Sequence, residues 1–451
     1  MVFLSMSSLA SIETTFPVTR SILGIVGLLG IAFLLSTNRK KINPQVVLGG
    51  VGLQLIIAFG VLKIAWVEAL FGWIAHLFSV ALQVSVDASG FVFGTLADFN
   101  KMNEVFEGEG FVFAFMALPS ILFFSALSSI LYYFGILQLV VRGMAWIMSR
   151  VMRLSGAESL AAAANVFVGQ TEAPLIVKPY ISKMTRSEML ALMVGGMATI
   201  AGSVFAIYMG MLGGSDQESR LLFGKFLLCA SAMNAPAALL FAKILIPETE
   251  EVGRVVKVNR QEIGRNPIDA LANGTTQGLQ LALNVAAMLI SFYAFILLIN
   301  YFLSFVGSFS FFTESNLNEN LSLATEGRFN ELSLQAIFGF LFAPVAWLIG
   351  VSSSEVLEVG QLIGTKLFAT EFFAFADLST LQANGLSERS VYLSTFALCG
   401  FANFMSIGIQ IGGIGSLAPE RRSELASLGI KALVGGTLAS LLSASIAGLF
   451  L

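Results

Sequence analysis

Charge, cysteine and histidine are all scarce in this sequence of 451 residues. Charged residues make up 12% of it, against about 25% in ordinary soluble domains. Its one histidine, His76, excludes proton relays and metal sites built from several histidines. Cys229 and Cys399 lie in apolar segments without CxxC spacing, so neither a disulfide framework nor a zinc site is indicated. Hydrophobic residues make up 56% of the chain and its mean hydropathy is +0.83, which indicates a membrane protein.

Long apolar runs divide the chain into segments of membrane length. A helix needs about 20 apolar residues to span a bilayer, and β-barrel strands would alternate apolar and polar residues, which these runs do not. Eight segments approach or exceed that length: 22–36, 45–66, 112–135, 189–212, 221–246, 278–305, 391–414 and 426–450. Because the N-terminus has no clear small-residue cleavage site, we expect the first to be retained as a span. The sequence therefore predicts an all-α polytopic membrane protein with about eight transmembrane helices.

The basic residues give this arrangement an orientation. If the first span enters the cytoplasm, the loops on that side contain Arg39, Lys40, Lys41, Arg142, Arg150, Arg153, Lys178, Lys183, Arg186, Lys243, Arg254, Lys257, Arg260, Arg265, Arg421, Arg422 and Lys431. The loops on the other side are acidic or neutral. Positive charge concentrates in cytoplasmic loops of membrane proteins. Both termini are therefore predicted to lie outside.

Two segments place a Thr–Glu pair inside apolar sequence. The first reads GQTEAP at 169–174 and the second ATEF at 369–372. The arms on either side are about ten to fourteen residues long, too short to cross the hydrocarbon core. Basic residues flank the first segment, whereas the flanks of the second are mainly acidic or neutral. We therefore predict two re-entrant helical hairpins of opposite orientation, which together form an inverted repeat.

A helix with a polar break follows each hairpin. The breaks fall at Gly196–Thr199 and at Gly400–Asn403, and Ser187 and Ser387 are predicted to cap the two helices. A carboxylate within a membrane is unfavourable unless it serves a site. Two of them in matching positions of an inverted repeat predict a binding site where the repeats meet, as in secondary transporters.

The polar residues near these breaks define the candidate site. They are Gln170, Thr171, Glu172, Glu371, Asn403 and Ser406, with Phe401 as an apolar or stacking surface. Carboxylates, carboxamides and hydroxyls suit a neutral solute with several hydroxyl groups. A phosphate or dicarboxylate would need a basic residue. Lys366 is the nearest in sequence to the second glutamate, and we expect it to snorkel outward.

A second candidate site is suited to a small cation. The Thr199 hydroxyl and the loosened carbonyls of 199–203 would lie opposite the carbonyls of Asn165 and Val168 in the first hairpin. Oxygen atoms are the ligands that hard cations prefer. Sodium is favoured for this reason, but a proton carried by Glu172 or Glu371 stays open as the alternative.

At these residues the sequence resembles the concentrative nucleoside transporter family. The resemblance covers most of the chain, and its most specific motif is GQTEAP at 169–174. Further matching motifs are STNRK at 36–40, FVFG at 91–94, LPSILFFSAL at 118–127, AANVFV at 163–168, IPETE at 246–250, LQLALNV at 279–285, ALCGFAN at 397–403 and GSLAP at 415–419.

The resemblance implies a symporter that imports nucleosides, and not an enzyme. It implies that Gln170, Thr171 and Glu172 hold the nucleobase and that Glu371, Asn403 and Ser406 hold the ribose. Sodium-coupled members of the family bind the ion at positions that match Asn165, Val168, Thr199 and Ile200. A homotrimer in the bacterial inner membrane is also implied, with no cofactor besides the coupling ion and no nucleic-acid partner.

The resemblance further implies moving transport domains and a fixed scaffold. The predicted parts are scaffold spans with an interfacial helix near 67–86 (1–153), the first hairpin and repeat (154–247), a cytoplasmic loop (248–277), a scaffold span with an external loop (278–333), and the second hairpin and repeat (334–451). Three positions depart from the family pattern and bear on the substrate range. Thr370 stands where Asn is common, Phe375 replaces an aromatic hydroxyl, and 351–354 lacks a Pro–Trp pair.

Three other functions fit the sequence less well than nucleoside transport does. A hairpin transporter for another polar solute, such as a dicarboxylate, would need a basic residue in the site. A polytopic membrane hydrolase would need a nucleophile–base pair or an HExxH motif, and the sequence provides neither beside Glu172 and Glu371. A channel can contain re-entrant loops, but two hairpins in an inverted repeat favour a carrier.

Overall fold

The computed structural model describes residues 17–106, 112–214, 216–250, 265–310 and 315–451. Residues 251–264 of the predicted cytoplasmic loop, with Arg254, Lys257 and Arg260, lie outside the described residues. So do parts of the predicted external loops and the predicted external N-terminus.

Within these ranges the regular structure is helical, with no strand. In chain order the helices are α1 (Pro17–Leu35), α2 (Pro44–Lys63), α3 (Ala65–Phe93), α4 (Phe99–Val105), α5 (Phe113–Met116), α6 (Leu118–Tyr133), α7 (Ile136–Met152), α8 (Gly156–Asn165), α9 (Ala173–Ile176), α10 (Lys178–Ile181), α11 (Arg186–Ala198), α12 (Gly202–Gly213), α13 (Gln217–Leu245), α14 (Pro267–Gly307), α15 (Leu317–Ala324), α16 (Leu334–Leu348), α17 (Val356–Phe368), α18 (Glu371–Ala383), α19 (Glu388–Leu398), α20 (Phe404–Leu417) and α21 (Arg422–Ala447).

The long apolar helices confirm the fold class of an all-α polytopic membrane protein. By length and composition, the described residues include seven candidate spans: Val18–Leu35, Pro44–Lys63, Ala65–Ala97, Phe113–Tyr133, Gln217–Leu245, Pro267–Gly307 and Pro419–Ala447. The predicted spans 189–212 and 391–414 are each divided into two helices, at 199–201 and at 399–403. The third candidate span includes the predicted interfacial helix 67–86, whose place at the membrane surface stays a prediction.

The two ends of the first hairpin meet at the C-terminal end of α13. Hairpin 1 consists of α8, a tip at 166–172, and α9 with α10. At its start, Glu158 pairs with Lys243 of α13, with 2.8 Å between Nζ and Oε2. Lys243 also lies 3.1 Å from Glu248, which accepts a hydrogen bond of 2.7 Å from the Thr185 hydroxyl just after α10. The chain therefore enters and leaves hairpin 1 on the same side.

The second hairpin folds back in the same way at the other end of α13. Hairpin 2 consists of α17, a break at 369–370, and α18. Glu355, before α17, accepts hydrogen bonds from the amide and hydroxyl of Ser387, after α18, at 2.8 and 2.6 Å. Close by, the Tyr392 ring lies 4.9 Å from the Phe226 ring near the start of α13. Since α13 has 29 residues, about 43 Å at 1.5 Å per residue, the hairpins enter from opposite ends.

Two predicted boundaries are corrected by the structure. Thr185, not Ser187, caps α11 and forms a capping box with Glu188. The Ser187 hydroxyl instead donates to the Ile246 carbonyl. Residues 267–277, assigned to the cytoplasmic loop, form the first turns of α14, because Asn266 caps a helix that starts with proline.

Burial separates an inner bundle from outer helices. Helices α8, α11, α13, α19 and α21 are largely buried and form the main core cluster. By contrast, α3 and α14 expose most of their apolar surface. The helix breaks and the tip of hairpin 2 therefore lie inside protein, where irregular backbone is tolerated at membrane depth, whereas the tip of hairpin 1 is exposed at Thr171.

Candidate functional site

A cavity of about 150 Å³ lies between the tips of the two hairpins. The breaks that follow α11 and α19 also contribute to its wall. All seven residues of the predicted substrate site line it: Gln170, Thr171, Glu172, Glu371, Phe401, Asn403 and Ser406. The fold therefore brings together residues that are more than 230 positions apart in the chain. Their individual roles stay predictions.

Glu371 is held by two neutral donors. It is the first residue of α18 and is 5% exposed. The Tyr208 hydroxyl donates to its Oε1 at 2.8 Å, and the Asn403 side-chain amide donates to its Oε2 at 3.0 Å. The Asn403 carbonyl oxygen in turn caps α20 by accepting from the Ser406 amide. Glu371 thus has one carboxylate oxygen oriented by α12 and the other by the break before α20.

Gln170 connects the first tip to the helix after the second break. Its amide nitrogen donates to the Ser406 hydroxyl at 3.1 Å, and its carbonyl oxygen accepts from Gln410 at 3.1 Å. Gln410 also donates to the Met193 carbonyl at 3.0 Å. These partners fix which edge of the Gln170 amide is a donor and which an acceptor.

The cavity contains negatively charged groups but no basic side chain among the described residues, and Lys366 is buried elsewhere. Glu172 accepts a hydrogen bond from the Gly169 amide within its own tip. In the described part of the chain, no lysine or arginine lines this cavity. Lys366 does not snorkel outward as predicted, because α17 packs inside the protein. Its buried ammonium donates to the Ala397 carbonyl at 2.8 Å and to the Ser440 hydroxyl at 2.9 Å.

The candidate cation site lies where α8 and α11 end. Asn165 is the last residue of α8, is 1% exposed, and has no hydrogen-bond partner for either side-chain amide atom among the described residues. The Thr199 hydroxyl donates to the Gly195 carbonyl at 3.0 Å, and the amide of Gly202 donates to the Phe167 carbonyl at 3.1 Å. The break with Thr199 and Ile200 therefore lies against the tip with Val168. Helix C-termini present free carbonyls and negative partial charge, which suit a cation.

Asn234 of α13 connects the two helix breaks. Its side-chain nitrogen donates to the Ala198 carbonyl at 2.8 Å and to the Cys399 carbonyl at 2.7 Å. Its side-chain oxygen accepts from the Ser443 hydroxyl at 2.6 Å. One buried residue thus satisfies the last carbonyl of α11 and the first residue of the second break.

Family models match nearly the whole chain. The model described as Na+ dependent nucleoside transporter N-terminus matches residues 23–96, the one described as nucleoside recognition matches 114–215, and the one described as Na+ dependent nucleoside transporter C-terminus matches 226–448. The chain belongs to the Na+-dependent nucleoside transporter family. The resemblance to concentrative nucleoside transporters is thereby confirmed, and so is the prediction that the protein is a membrane transporter and not an enzyme.

Relatives within this family extend over almost the full chain. An uncharacterized transporter of Haemophilus influenzae is 46% identical, over 96% of this chain and 98% of its own length. The putative nucleoside permease NupX of Escherichia coli is 39% identical, over 96% and 99%. The sodium/nucleoside cotransporter 2 of Rattus norvegicus is 36% identical over 95% of this chain, which spans 62% of that longer protein.

Solved structures of a further relative, CNTnw, share this fold. CNTnw in an inward-facing, substrate-bound state is 42% identical and has a TM-score of 0.86, covering 96% of this chain and 99% of that one. A variant of CNTnw in an outward-facing state is 41% identical, with a TM-score of 0.85 and coverage of 96% and 98%.

Three residues at or beside the central cavity of this chain were not predicted from the sequence. Tyr208 and Gln410 contact the predicted residues directly, and Asn234 holds the breaks. Gln410 lies seven residues after Asn403, two helical turns on the same face, so helical spacing alone could have found it. Tyr208 is a single hydroxyl in an apolar helix. Nothing in the local sequence distinguishes Asn234 from an ordinary contact between helices.

Proposed function

We propose that the protein imports nucleosides together with sodium, across the bacterial inner membrane, by alternating access. The observation that carries the proposal is the cavity between the hairpin tips. It collects two carboxylates, two carboxamides and the hydroxyls of Thr171, Tyr208, Thr370 and Ser406, together with several aromatic rings that include Phe401. Such a set can hydrogen-bond a neutral base and a ribose at once.

In this proposal the two hairpins hold different parts of the substrate. Gln170, Thr171 and Glu172 bind the nucleobase. The ribose hydroxyls donate to Glu371, whose orientation by Tyr208 and Asn403 leaves it as a fixed acceptor. Ser406, one of the residues proposed to bind the ribose, accepts a hydrogen bond from Gln170, one of those proposed to bind the base. Phe401 supplies an apolar surface for the rings.

Sodium binds beside the first tip and prepares it for the substrate. The ligands are oxygens of Asn165, Val168, Thr199 and Ile200, and the buried amide of Asn165 without a partner supports this assignment. The cation offsets the negative charge of Glu172 and Glu371, which otherwise repel one another in one cavity. Binding of the ion therefore raises the affinity for the nucleoside.

Alternating access follows from the position of the site between hairpins that enter from opposite sides. The relative CNTnw has been captured in inward-facing and outward-facing states. We infer that the hairpins and the inner bundle move together against the outer helices, within a homotrimer.

The test is uptake of radiolabelled uridine and adenosine into proteoliposomes under an inward sodium gradient, an inward proton gradient, or neither. We expect uptake under the sodium gradient alone. The Glu172→Gln variant should lose uptake, and uptake by the Asn165→Ala variant should no longer depend on sodium. Asn38→Ala, an exposed loop position, serves as the control. Uptake driven by protons alone would overturn the sodium site but keep the substrate. Absence of uptake of both nucleosides by folded protein would overturn the substrate class.

A further inference from the structure

A second and larger cavity lies on the other side of Glu172. Its volume is about 480 Å³, within the range of about 300–1,000 Å³ that small-molecule sites occupy. Gly169, Glu172 and Ala201 line both cavities, so the two are neighbours that share one wall. None of the residues proposed to hold the ribose lines the larger one.

The outer wall of this cavity is polar along two helices. We call the cavity the serine–amide vestibule, after its lining residues Ser125, Ser128, Ser129 and Tyr132 of α6 and Asn273, Thr276 and Gln277 of α14. On both helices the spacing is i, i+3, i+4, which places these side chains on one face. Polar side chains at membrane depth are unfavourable against lipid, so they indicate a water-filled space.

Two glycines bring these polar rows together. A Cβ atom at Gly274 would lie 2.5 Å from the Ser129 hydroxyl, and one at Gly278 would lie 2.8 Å from the Cα atom of Leu122. Small residues four apart let two membrane helices approach closely. The serines of α6 and the amides of α14 therefore form one continuous surface.

Three serine hydroxyls and one amide of this surface are available to a ligand. In the part of the chain that the structure describes, the hydroxyls of Ser125, Ser128 and Ser129 and the Gln277 amide have no hydrogen-bond partner in the protein. The facing wall consists of Glu172 with Leu175 and Ile176 of hairpin 1. A ligand in the vestibule would thus meet donors and acceptors on one side, and an acceptor and apolar surface on the other.

The charge pattern places the vestibule on the cytoplasmic side. Its α14 residues lie in the first turns of that helix, within residues 248–277 that the sequence assigns to the cytoplasmic loop. Its α6 residues lie in the second half of that helix, before α7 with its arginines Arg142 and Arg150. A solute that leaves the central cavity past Glu172 enters the vestibule before it reaches the cytoplasm.

We propose that the serine–amide vestibule is a second nucleoside-binding site, which receives the substrate from the central cavity on its way to the cytoplasm. The proposal rests on the proposed function. Glu172 contacts the nucleoside in both places, while Gln277 and the serines replace the hydrogen bonds given up at Glu371 and Asn403. The transfer therefore avoids a state in which the polar groups of the substrate lack partners.

The experiment is protection of a cysteine in the vestibule by uridine. Thr276→Cys introduces a thiol there, and the two native cysteines are fully buried. Thr275→Cys is the matched control, since both threonines are exposed and back-bond to the carbonyl four residues earlier, but only Thr276 lines the vestibule. The background contains Glu371→Gln and Asn403→Ala, which disable the central cavity without touching the vestibule. Modification by a membrane-permeant thiol reagent is followed in the full-length protein in proteoliposomes.

At a uridine concentration about twice the apparent Kd, we expect the Thr276→Cys thiol to react about threefold more slowly, because protection follows 1 + [L]/Kd. The Thr275→Cys thiol should react at an unchanged rate. Adding Ser125→Ala with Ser129→Ala should abolish the protection.

Two results would overturn the vestibule site alone. One is protection that occurs with an intact central cavity but not in the Glu371→Gln, Asn403→Ala background. The other is protection that survives removal of both serine hydroxyls. If the otherwise native Thr276→Cys protein shows neither uridine uptake nor protection while wild type transports uridine, the vestibule proposal also fails. If wild type itself does not transport it, the proposed function is the part that is wrong.

Discussion

At the scale of single residues, both carboxylates of the central cavity are held by neutral groups. Glu371 has a phenol and an amide as partners, and Glu172 has the backbone amide of Gly169. Because their partners carry no positive charge, the negative charge of the cavity is not compensated by the protein lining it. Without a bound cation, or a proton on one of the glutamates, two negative charges would repel one another in this cavity.

Tyr208→Phe tests the orientation of Glu371. The change removes a hydrogen bond to a charged acceptor, which contributes about 1.5–3 kcal/mol. We expect KM for uridine to rise about tenfold or more, while the ring stays stacked on Phe375 at 4.4 Å. Tyr293→Phe is the control, since its ring also stacks on a phenylalanine, Phe373, but lies outside the contacts of Glu371. Equal KM values in the two variants would contradict this role.

Thr370→Val tests a hydroxyl group in the cavity that has no hydrogen-bond partner among the described residues. Thr370 lines the cavity, is 6% exposed, and its hydroxyl has no partner among the described residues. We expect it to bind the substrate, so the isosteric valine should raise KM about fivefold, the equivalent of one hydrogen bond of about 1 kcal/mol. Thr380→Val, on the following helix α18 and outside the cavity, should leave KM unchanged. Measured uridine uptake kinetics decide between these outcomes.

The sequence could predict the residues whose presence in apolar surroundings is itself unfavourable. Glu172, Glu371 and Asn403 are of this kind, and all three line one cavity. Their partners could not be predicted in the same way. Tyr208 and Glu371 are 163 residues apart, and no local pattern connects them. Lys366 was misplaced because local sequence does not show which face of α17 packs inward.

At the scale of elements, the two breaks depend on α13. Asn234 satisfies carbonyls at both, and its own oxygen is held by Ser443 of α21. We call these hydrogen bonds of Asn234 the clamp. Because Ala198 directly precedes Thr199, the clamp also sets the position of a proposed sodium ligand. The hairpins themselves were predictable from the length of their arms. The clamp was not, because it joins three elements distant in sequence.

Asn234→Ala should therefore change sodium dependence as well as stability. Each buried carbonyl left without a donor costs about 1–3 kcal/mol. We expect a lower midpoint of thermal unfolding in detergent and a higher sodium concentration for half-maximal uptake. Asn384→Ala, on the loop after α18, is the control. Reduced stability with an unchanged sodium requirement would show that the clamp does not set the ion site.

The buried ion pair at the base of hairpin 1 should contribute to the stability of the fold. Glu158 and Lys243 are both almost fully buried. Removing one charge of such a pair costs about 3–5 kcal/mol, whereas replacing both is often neutral. Lys243→Met should therefore lower the unfolding midpoint strongly, and Glu158→Gln in the same chain should restore most of it. A double variant no more stable than Lys243→Met would contradict the pairing.

Acid should weaken the same network through Glu248. Burial alone would raise the pKa of Glu248, but the Lys243 ammonium and the Thr185 hydroxyl outweigh it and lower the pKa below its usual range. A lowered pKa means that the stabilisation is complete above the ordinary carboxylate pKa and is lost as the pH falls through the lowered value. The contribution of this contact is thus constant near neutral pH.

At the scale of the whole molecule, the inner and outer parts have different surroundings. The central cavity, the candidate cation site and both hairpins lie against the main core cluster. Helix α14 instead exposes large apolar side chains such as Leu283, Ile290 and Phe295. Lipid or a second copy of the chain can cover such a surface, and the proposed homotrimer assigns part of it to other copies. Composition predicted the membrane class, but which helices face inward depends on packing that hydropathy does not report.

Because the seven residues of the predicted substrate site meet within a single chain, we expect each copy in an oligomer to transport independently. Native mass spectrometry should first show a particle of three 48.2-kDa chains; a single chain would contradict the trimer. Co-expression of wild type with an equal amount of Glu371→Gln then forms mixed trimers. Independent copies should retain about half of the uptake, whereas a mechanism that needs three active copies at once should retain about one eighth, as expected for random mixing in a closed trimer. An activity near one eighth would mean that one copy depends on its neighbours, although the seven predicted residues meet within one chain.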